Sequence, residues 1–379
     1  MQYRSFGRTN ETVSILGFGC MRLPVMPGGD MSRIDEEEAV RLIRYAIDRG
    51  VNYIDTAYPY HGHGFGGKGN SEPFLAKALA GGYREKVKIA TKLPGWLVQT
   101  RQDMDRILTE QLKRLNTDSI DFYLVHGITA ALWPVLKKAG YQEFLNDALA
   151  AGKIRHAGFS FHDELNIFKE IVDDYEWSFC MVQFNYIDED YQAGIQGIRY
   201  AYQKGLGIAV MEPLRGGILA GGFPKAAEEA LEGSGRTAPE LALRWIWNHM
   251  EVSVVLSGMN AMQQVEENLH SAKEAGPLVG KEVEAVNRIK SIFREKTKIK
   301  CTGCGYCMPC PQGVDIPVCF ALYNNYYMFD KKDPYTFRLT PSQRASSCVE
   351  CGQCEEHCPQ GIEIRRELKN VKEIYEPDV

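Results

Sequence analysis

Nine of the eleven cysteines fall between residues 301 and 358, while Cys20 and Cys180 stand alone. Eight of these form two runs about 47 residues apart, Cys301-x2-Cys304-x2-Cys307-x2-Cys310-Pro and Cys348-x2-Cys351-x2-Cys354-x3-Cys358-Pro. The first continues Gln-Gly-Val-Asp-Ile and the second Gln-Gly-Ile-Glu-Ile, so the two are copies of one metal-binding turn. Three thiolates at two-residue intervals wrap one face of an iron–sulfur cube. A fourth, followed by a proline that turns the chain away, reaches a neighbouring cube. Zinc wants two well-separated pairs that close a tetrahedron, and a run this short is too cramped for that. The spacing predicts two [4Fe-4S] clusters. Crossed ligation would assign Cys301, Cys304, Cys307 and Cys358 to one, and Cys348, Cys351, Cys354 and Cys310 to the other. The first run has two rather than three residues before its last cysteine, which leaves the crossing at Cys310 open. Cys319 has no partner at ligand spacing and reads as a small core residue.

A second set of reactive side chains lies upstream. Asp55, Tyr60, Lys92 and His126 stand at or just past the ends of three short apolar runs, Asn52–Ala57, Val87–Lys92 and Ile120–His126. Together they make sense as a proton donor for carbonyl reduction. A tyrosine, with a reference pKa of about 10, is too weak an acid to protonate a developing alkoxide efficiently near neutral pH. A lysine ammonium beside it favours the phenolate and is expected to lower that pKa. Asp55 would balance and orient the lysine, and His126 would donate a hydrogen bond to the substrate carbonyl. Taken singly, Asp55 reads as a helix cap, Tyr60 as packing and His126 as a core histidine. Lys92 is the hardest to explain structurally, because an unpaired lysine at the end of a buried strand is costly.

These residues meet only if their strands are neighbours. Further β-branched runs lie at Val13–Gly19, Ile154–Ser160, Met181–Tyr186, Gly207–Leu214 and Val252–Gly258. Helical patterns fall between them, as at Asp35–Arg49 and at Asp103–Leu115 after the cap candidate Thr100. Eight β–α units over this length predict an α/β fold of the (β/α)8 TIM-barrel type, whose strand ends on one face carry function. The cysteine-rich stretch is a separate small domain. The expected organisation is a barrel over 1–278, a connecting helix over 279–299 and an iron–sulfur domain over 300–379. An aromatic insert between the motifs (Tyr323, Tyr326, Tyr327, Phe329, Tyr335, Phe337) is expected to pack over the clusters or against the rest of the protein. The Gly-rich stretch 62–67 matches G-x-G-x-x-G but starts several residues past its strand. It also lacks the downstream acidic residue of a dinucleotide fold and, read as a phosphate loop, the required Ser or Thr. It reads as a loop at the barrel mouth, where His61 and His63 lack an evident third metal ligand.

The 379 residues carry a formal charge of −5, which argues against a nucleic-acid binder. No apolar run reaches the ~18–20 residues that span a bilayer, and Met1–Arg8 lacks the apolar core of a signal peptide. With many unpaired-looking cysteines, the expected location is cytoplasmic.

The stretches Asn52–Ala57 with Tyr60, Ala90-Thr91-Lys92, Asp121–His126, Ile154–Ser160, Gln183, Glu212-Pro213-Leu214 and Glu266–Leu269 occur in the order found in the aldo-keto reductases, which residues 1–275 resemble. The appended segment resembles the ferredoxin-like two-cluster domain fused to one branch of that family. The resemblance implies that Tyr60 is the proton donor, tuned by Asp55 and Lys92, and that nicotinamide lies across the mouth with its amide held by Ser160 and Gln183. It further implies cofactor contacts from Met211, Pro213, Leu214, Gly216, Gly258 and Gln264, with Glu267 and Asn268 at the adenosine. Three departures stand out. Phe161 replaces the usual Asn, Met211 replaces the aromatic that stacks on nicotinamide, and Ser257–Asn260 lacks the Lys and Arg that accept a 2′-phosphate. The choice between NAD and NADP therefore stays open, with Arg215 and Lys225 as the nearest substitute bases. The function expected is nicotinamide-dependent interconversion of a small carbonyl and alcohol, with attached electron-transfer clusters. The alternative is an electron relay to a redox partner protein, the barrel serving as scaffold or sensor.

Overall fold

The computed structural model describes the chain except residues 29, 63–66, 302–306, 331, 333, 334, 359, 378 and 379, and the side chain at 337. His63, Cys304 and the Phe337 side chain lie outside the described residues. The chain divides into two units, Met1–Gly217 with Pro239–Leu278, and Ile218–Ala238 with Val279–Val379.

In the first unit, β1 (Tyr3–Ser5) and β2 (Thr12–Ser14) form an antiparallel hairpin. Eight parallel strands then close a barrel: β3 (Leu16–Gly19), β4 (Tyr53–Asp55), β5 (Lys88–Pro94), β6 (Ile120–Ile128), β7 (Ile154–Phe161), β8 (Phe179–Gln183), β9 (Gly207–Met211) and β10 (Val254–Ser257), which returns to β3. This is a (β/α)8 TIM barrel. Its interior packs Phe6, Tyr53, Phe122, Phe179 and Met181 into one apolar cluster, with the Phe6 ring edge-on to Tyr53 and Phe122. The expected run Val13–Gly19 is thus two strands: it breaks at Ile15, whose N–H donates to Gln2 O, so its first half pairs in the hairpin. The expected strand to Leu214 stops at Met211, because Glu212 takes a left-handed φ of 57°.

Helices follow the strands. α1 (Glu36–Asp48) starts where the Asp35 carboxylate accepts from Glu38 N–H, and it buries Leu42, Ile43, Ala46 and Ile47. α2 (Ser71–Ala78) comes next, then α3 (Arg101–Leu115), whose Thr100 and Asp103 form a reciprocal capping box. After them come α4 (Trp133–Lys138), α5 (Tyr141–Ala150), α6 (Leu165–Asp174), α7 (Gly194–Gln203), α8 (Lys225–Ser234), α9 (Ala238–Trp247) and α10 (Met262–Lys273).

The second unit takes α8 from the middle of the chain and packs it on α11 (Gly280–Lys296). There Arg236 Nε donates to the buried Glu282 carboxylate at 2.7 Å. The unit continues with α12 (Ile316–Phe329), capped by Asp315, then α13 (Tyr335–Arg338), α14 (Gln353–Glu356) and α15 (Ile364–Tyr375). A core of Val314, Ile316, Phe320, Leu322, Leu368 and Val371 holds α12 to α15, and Tyr323, Tyr327 and Tyr335 of the aromatic insert pack in or against it. Among the described residues, no helix is long and apolar enough to cross a membrane.

Candidate active site and cluster cysteines

The ends of β4, β5 and β6 bring the four upstream residues together. Register pairs Asp55 with Ala90 and Lys92 with Leu124, so the side chains leave neighbouring strands at the same end of the barrel. Lys92 is buried, and its ammonium donates to Asp55 Oδ1 at 2.6 Å, Asp55 Oδ2 at 2.8 Å, Thr56 O at 2.9 Å and Tyr60 Oη at 3.1 Å. Beneath it lies a second polar layer. The fully buried Glu72 accepts from Arg114 Nε at 2.8 Å and from Thr91 and Gln111 at 2.7 Å each, and Gln111 also donates to Lys92 O at 3.0 Å. Each buried charge thus has an opposite charge and hydrogen bonds, which makes its burial affordable.

The electrostatics correct one expectation. Lys92 does pull the Tyr60 phenol toward ionisation, but burial outweighs it and Asp55 opposes it, so the Tyr60 pKa is raised above its ordinary value. Tyr60 is therefore a firmly protonated donor. Burial, then the Lys92 charge, hold His126 well below the usual histidine range, so its ring is neutral. The ring lies 6.2 Å from that of Tyr60, edge to face, and 5.0 Å from that of Trp96. Its Nδ1 is buried without a hydrogen-bond partner among the described residues. Such an orphaned polar atom beside a proton donor fits a ligand-binding site.

Asp55 and Tyr60 open onto a cleft of about 750 Å3, counted out to open solvent. Met21, Met181, Met211 and Leu256 form its apolar wall. Pro213, Leu214, Gly216 and Gly217 after β9, with Ser257 and Gly258 after β10, form its rim. Of the cofactor residues expected from sequence, Met211, Pro213, Leu214, Gly216 and Gly258 line this cleft. Asn268 stands behind it, donating to Ser257 Oγ at 3.0 Å. Ser160 Oγ accepts from Gly127 N–H at 2.8 Å, and Gln183 donates to Asp188 at 3.2 Å. Gln264 and Glu267 are exposed, bonded locally to Asn260 N–H and Gln263. Arg215 Nε lies 3.0 Å from Asp188, and Lys225 belongs to the second unit. His61 is committed to the backbone: its Nε2 accepts from Leu23 N–H at 3.2 Å and its Nδ1 lies 2.7 Å from Met31 O.

Sequence reading did not single out Arg22, Met21 or Met181, and it took Glu212 only as part of a family stretch, not as a site residue. Arg22 ends the short turn Cys20–Arg22 that follows β3, so reading on past the end of that strand, as at Tyr60 after β4, would have found it.

In the second unit, Cys301, Cys307, Cys310, Cys348, Cys354 and Cys358 pack against one core. Burial pushes the Cys354 thiol up to about 11, with Glu355, Cys348 and Cys310 adding to it, so Cys310 of the first motif stands near Cys354 of the second. Glu350 N–H donates to Cys348 Sγ at 3.4 Å. Soft sulfur ligands in this number fit an iron–sulfur donor set. Among the described residues, which omit Cys304, no three ligating side chains stand at metal-holding spacing. Cys319 is apart from the set, fully buried with Sγ 3.7 Å from Tyr335 Oη.

The barrel with charged side chains at one end of its strands is the frame of a TIM-barrel active site, and comparison with known proteins identifies the lineage. The aldo/keto reductase family profile matches residues 15–291, and the chain belongs to that family. A 4Fe-4S dicluster domain follows at 300–363. The chain is 27% identical to L-galactose dehydrogenase of Arabidopsis thaliana over 77% of its own length and 94% of the relative's. It is 36% identical to aldo-keto reductase YhdN of Bacillus subtilis, over 42% of its length and 47% of that protein. Among solved structures, holo aldo-keto reductase AKR11C1 from Bacillus halodurans superposes with a TM-score of 0.63 at 26% identity, covering 76% of this chain and 96% of that one.

Proposed function

We propose that the cleft interconverts a small carbonyl and its alcohol with a nicotinamide cofactor, Tyr60 passing the proton. The observation that carries this reading is the Lys92 ammonium 3.1 Å from Tyr60 Oη, itself anchored on both oxygens of Asp55. A bound nicotinamide would supply or accept the hydride. Tyr60 holds the proton at Oη, and the Lys92 charge stabilises the phenolate left once that proton has gone. Neutral His126 donates to the carbonyl oxygen, fixes its direction and stabilises its developing charge. Met211 walls the ring site, Ser160 and Gln183 are assigned to the nicotinamide amide, and Glu267 and Asn268 to the adenosine. Relatives named both dehydrogenase and reductase suit a reversible transfer. With Arg215 at Asp188 and Ser257–Asn260 lacking a base, NAD binds at least as well as NADP.

The second unit holds two [4Fe-4S] clusters on Cys301, Cys304, Cys307 and Cys358, and on Cys348, Cys351, Cys354 and Cys310. The proximity of Cys310 to Cys354 supports the crossing. A division at 1–278, 279–299 and 300–379 remains the working domain description, and reduced thiols suit a cytoplasmic setting.

Replacing Tyr60 by Phe tests the reading. Tyr60→Phe removes only the transferable proton, so kcat and kcat/KM should fall together by ~10²–10⁴-fold while cofactor affinity holds. Normal turnover of Tyr60→Phe would overturn the assignment.

A further inference from the structure

Tyr60 is not placed by the sheet. β4 ends at Asp55, and the tyrosine stands five residues further on, in a turn where its own N–H donates to Ala57 O at 3.2 Å. Lys92 is fixed inside β5. Their 3.1 Å contact therefore depends on what ties that turn to that strand. The tie begins at α2. Ser71 N–H donates to Tyr60 O at 3.1 Å and Asn70 N–H to His61 O at 3.0 Å, so the chain entering α2 lies along the Tyr60 turn. A β-carbon added at Gly69 would run into Tyr60 O, so the approach is open to glycine alone. From α3, Arg114 then uses two separate nitrogens: Nη2 donates to Gly69 O, and Nε donates to Glu72 Oε2 at 2.8 Å. The other carboxylate oxygen, Glu72 Oε1, accepts from Thr91 of β5 and from Gln111 Nε2 at 2.7 Å each. Gln111 Nε2 also donates to Lys92 O at 3.0 Å, while its amide oxygen accepts from Tyr123 Oη of β6 at 2.8 Å. One chain of polar contacts thus runs from the Tyr60 turn through Arg114, Glu72 and Gln111 to the backbone of Lys92. Glu72 and Gln111 are fully buried, and the Arg114 side chain is 14% exposed. Away from water, a satisfied network of this kind is stiff and holds one arrangement.

We propose that Arg114, Glu72 and Gln111 are positioning residues for the proton donor: they brace the Tyr60 turn against β5 and so set the contact between Lys92 and the phenol. This deepens the reading of Tyr60 above and rests on it. None of the three lines the cleft, so they act through Tyr60 and Lys92 rather than on a bound molecule.

Arg114→Lys tests it without stranding a charge. A lysine keeps the cation opposite Glu72, but its single ammonium does not reproduce two donors held apart in a planar fork, so the ion pair stays and the tie to Gly69 goes. Gln111→Met cuts the chain at its other end. Anaerobically purified full-length protein is assayed against pH with 4-nitrobenzaldehyde and 4-nitrobenzyl alcohol as probes. Nucleotide affinity is read by tryptophan fluorescence and stability by urea unfolding. Misplacing a reacting group by about 1 Å costs about 100-fold in rate, so kcat and kcat/KM should fall together by about 10- to 100-fold in both variants, with the Kd values of NADH and NADPH unchanged. Alcohol oxidation starts from the phenolate, which a more distant Lys92 stabilises less, so its rise with pH should move up by about one to two pH units. The groups facing Tyr60 are Lys92 of β5, Asp55 of β4, the buried Cys20 thiol after β3 and the His126 ring of β6, and neither variant alters them. The double variant should lose no more than the worse single one, because both cut one chain. Additive losses, wild-type kcat in Arg114→Lys, or lowered stability with the pH rise unmoved would each overturn the proposal. Raised Kd values with the pH rise unmoved would assign the layer to nucleotide binding and overturn it too. Wild type inert toward both probes, or normal turnover in Tyr60→Phe, would overturn the Tyr60 reading and this inference with it.

Discussion

Lys92→Met separates a built ion pair from incidental burial. The lysine and aspartate side chains are 1% and 4% exposed, so the substitution strands the Asp55 carboxylate away from water with its cation gone. Removing one partner of such a pair costs about 3–5 kcal/mol. The stranded group has one relief, which is to take up a proton. Loss of the cation raises the folded pKa of Asp55 further above its unfolded value. The neutral form is therefore favoured in the folded chain, and the deficit grows as pH rises from the unfolded pKa toward the folded one. Each pH unit in that window is worth about 1.36 kcal/mol, so lowering the pH from 7 to 5 should recover up to about 2.7 kcal/mol relative to wild type. Urea unfolding followed by tryptophan fluorescence reads this cleanly. All five tryptophans (Trp96, Trp133, Trp177, Trp245 and Trp247) lie in the first unit. Adding Asp55→Asn should restore most of the loss at pH 7. A deficit below about 1 kcal/mol, or one equal at both pH values, would refute the reasoning.

The pH profile follows from the directions found at Tyr60 and His126. Carbonyl reduction needs the Tyr60 proton, held above its ordinary range, so kcat/KM should stay level from mildly acidic to mildly alkaline pH and fall only on the far alkaline side. Alcohol oxidation needs the phenolate and should rise with pH. No limb should come from His126, which is neutral throughout that range; an acid limb that vanishes in His126→Gln would contradict this. Anaerobically purified protein should carry about eight iron and eight sulfide; Cys354→Ser should lose about half and Cys319→Ser none. Stoichiometric zinc without acid-labile sulfide would exclude the clusters.

Much of this was legible in the residue order, for identifiable reasons. Each barrel strand is a short run of branched and apolar residues between helix caps such as Asp35 and Thr100, and that local pattern survives tertiary packing. Its ends do not: Glu212 adopts a left-handed turn that its residue type does not announce. The hairpin strands are three residues each, too short for periodicity to register. Asp55, Lys92 and His126 could be placed because barrel topology puts strand ends on one face. The direction of the Tyr60 shift could not, because it depends on how far burial outweighs one nearby charge. Met21 and Met181 look like core until the cleft is seen, and the pairing of α8 with α11 joins segments about 50 residues apart.

Anaerobic oxidation of NADH and NADPH over a panel of carbonyls, with and without an artificial one-electron acceptor, separates hydride transfer in the cleft from electron relay through the clusters. The proposed mechanism predicts carbonyl-dependent oxidation without the acceptor, one alcohol formed per nucleotide, reduced ~10²–10⁴-fold in Tyr60→Phe. Oxidation that needs the one-electron acceptor, yields no alcohol and proceeds equally in Tyr60→Phe would contradict it.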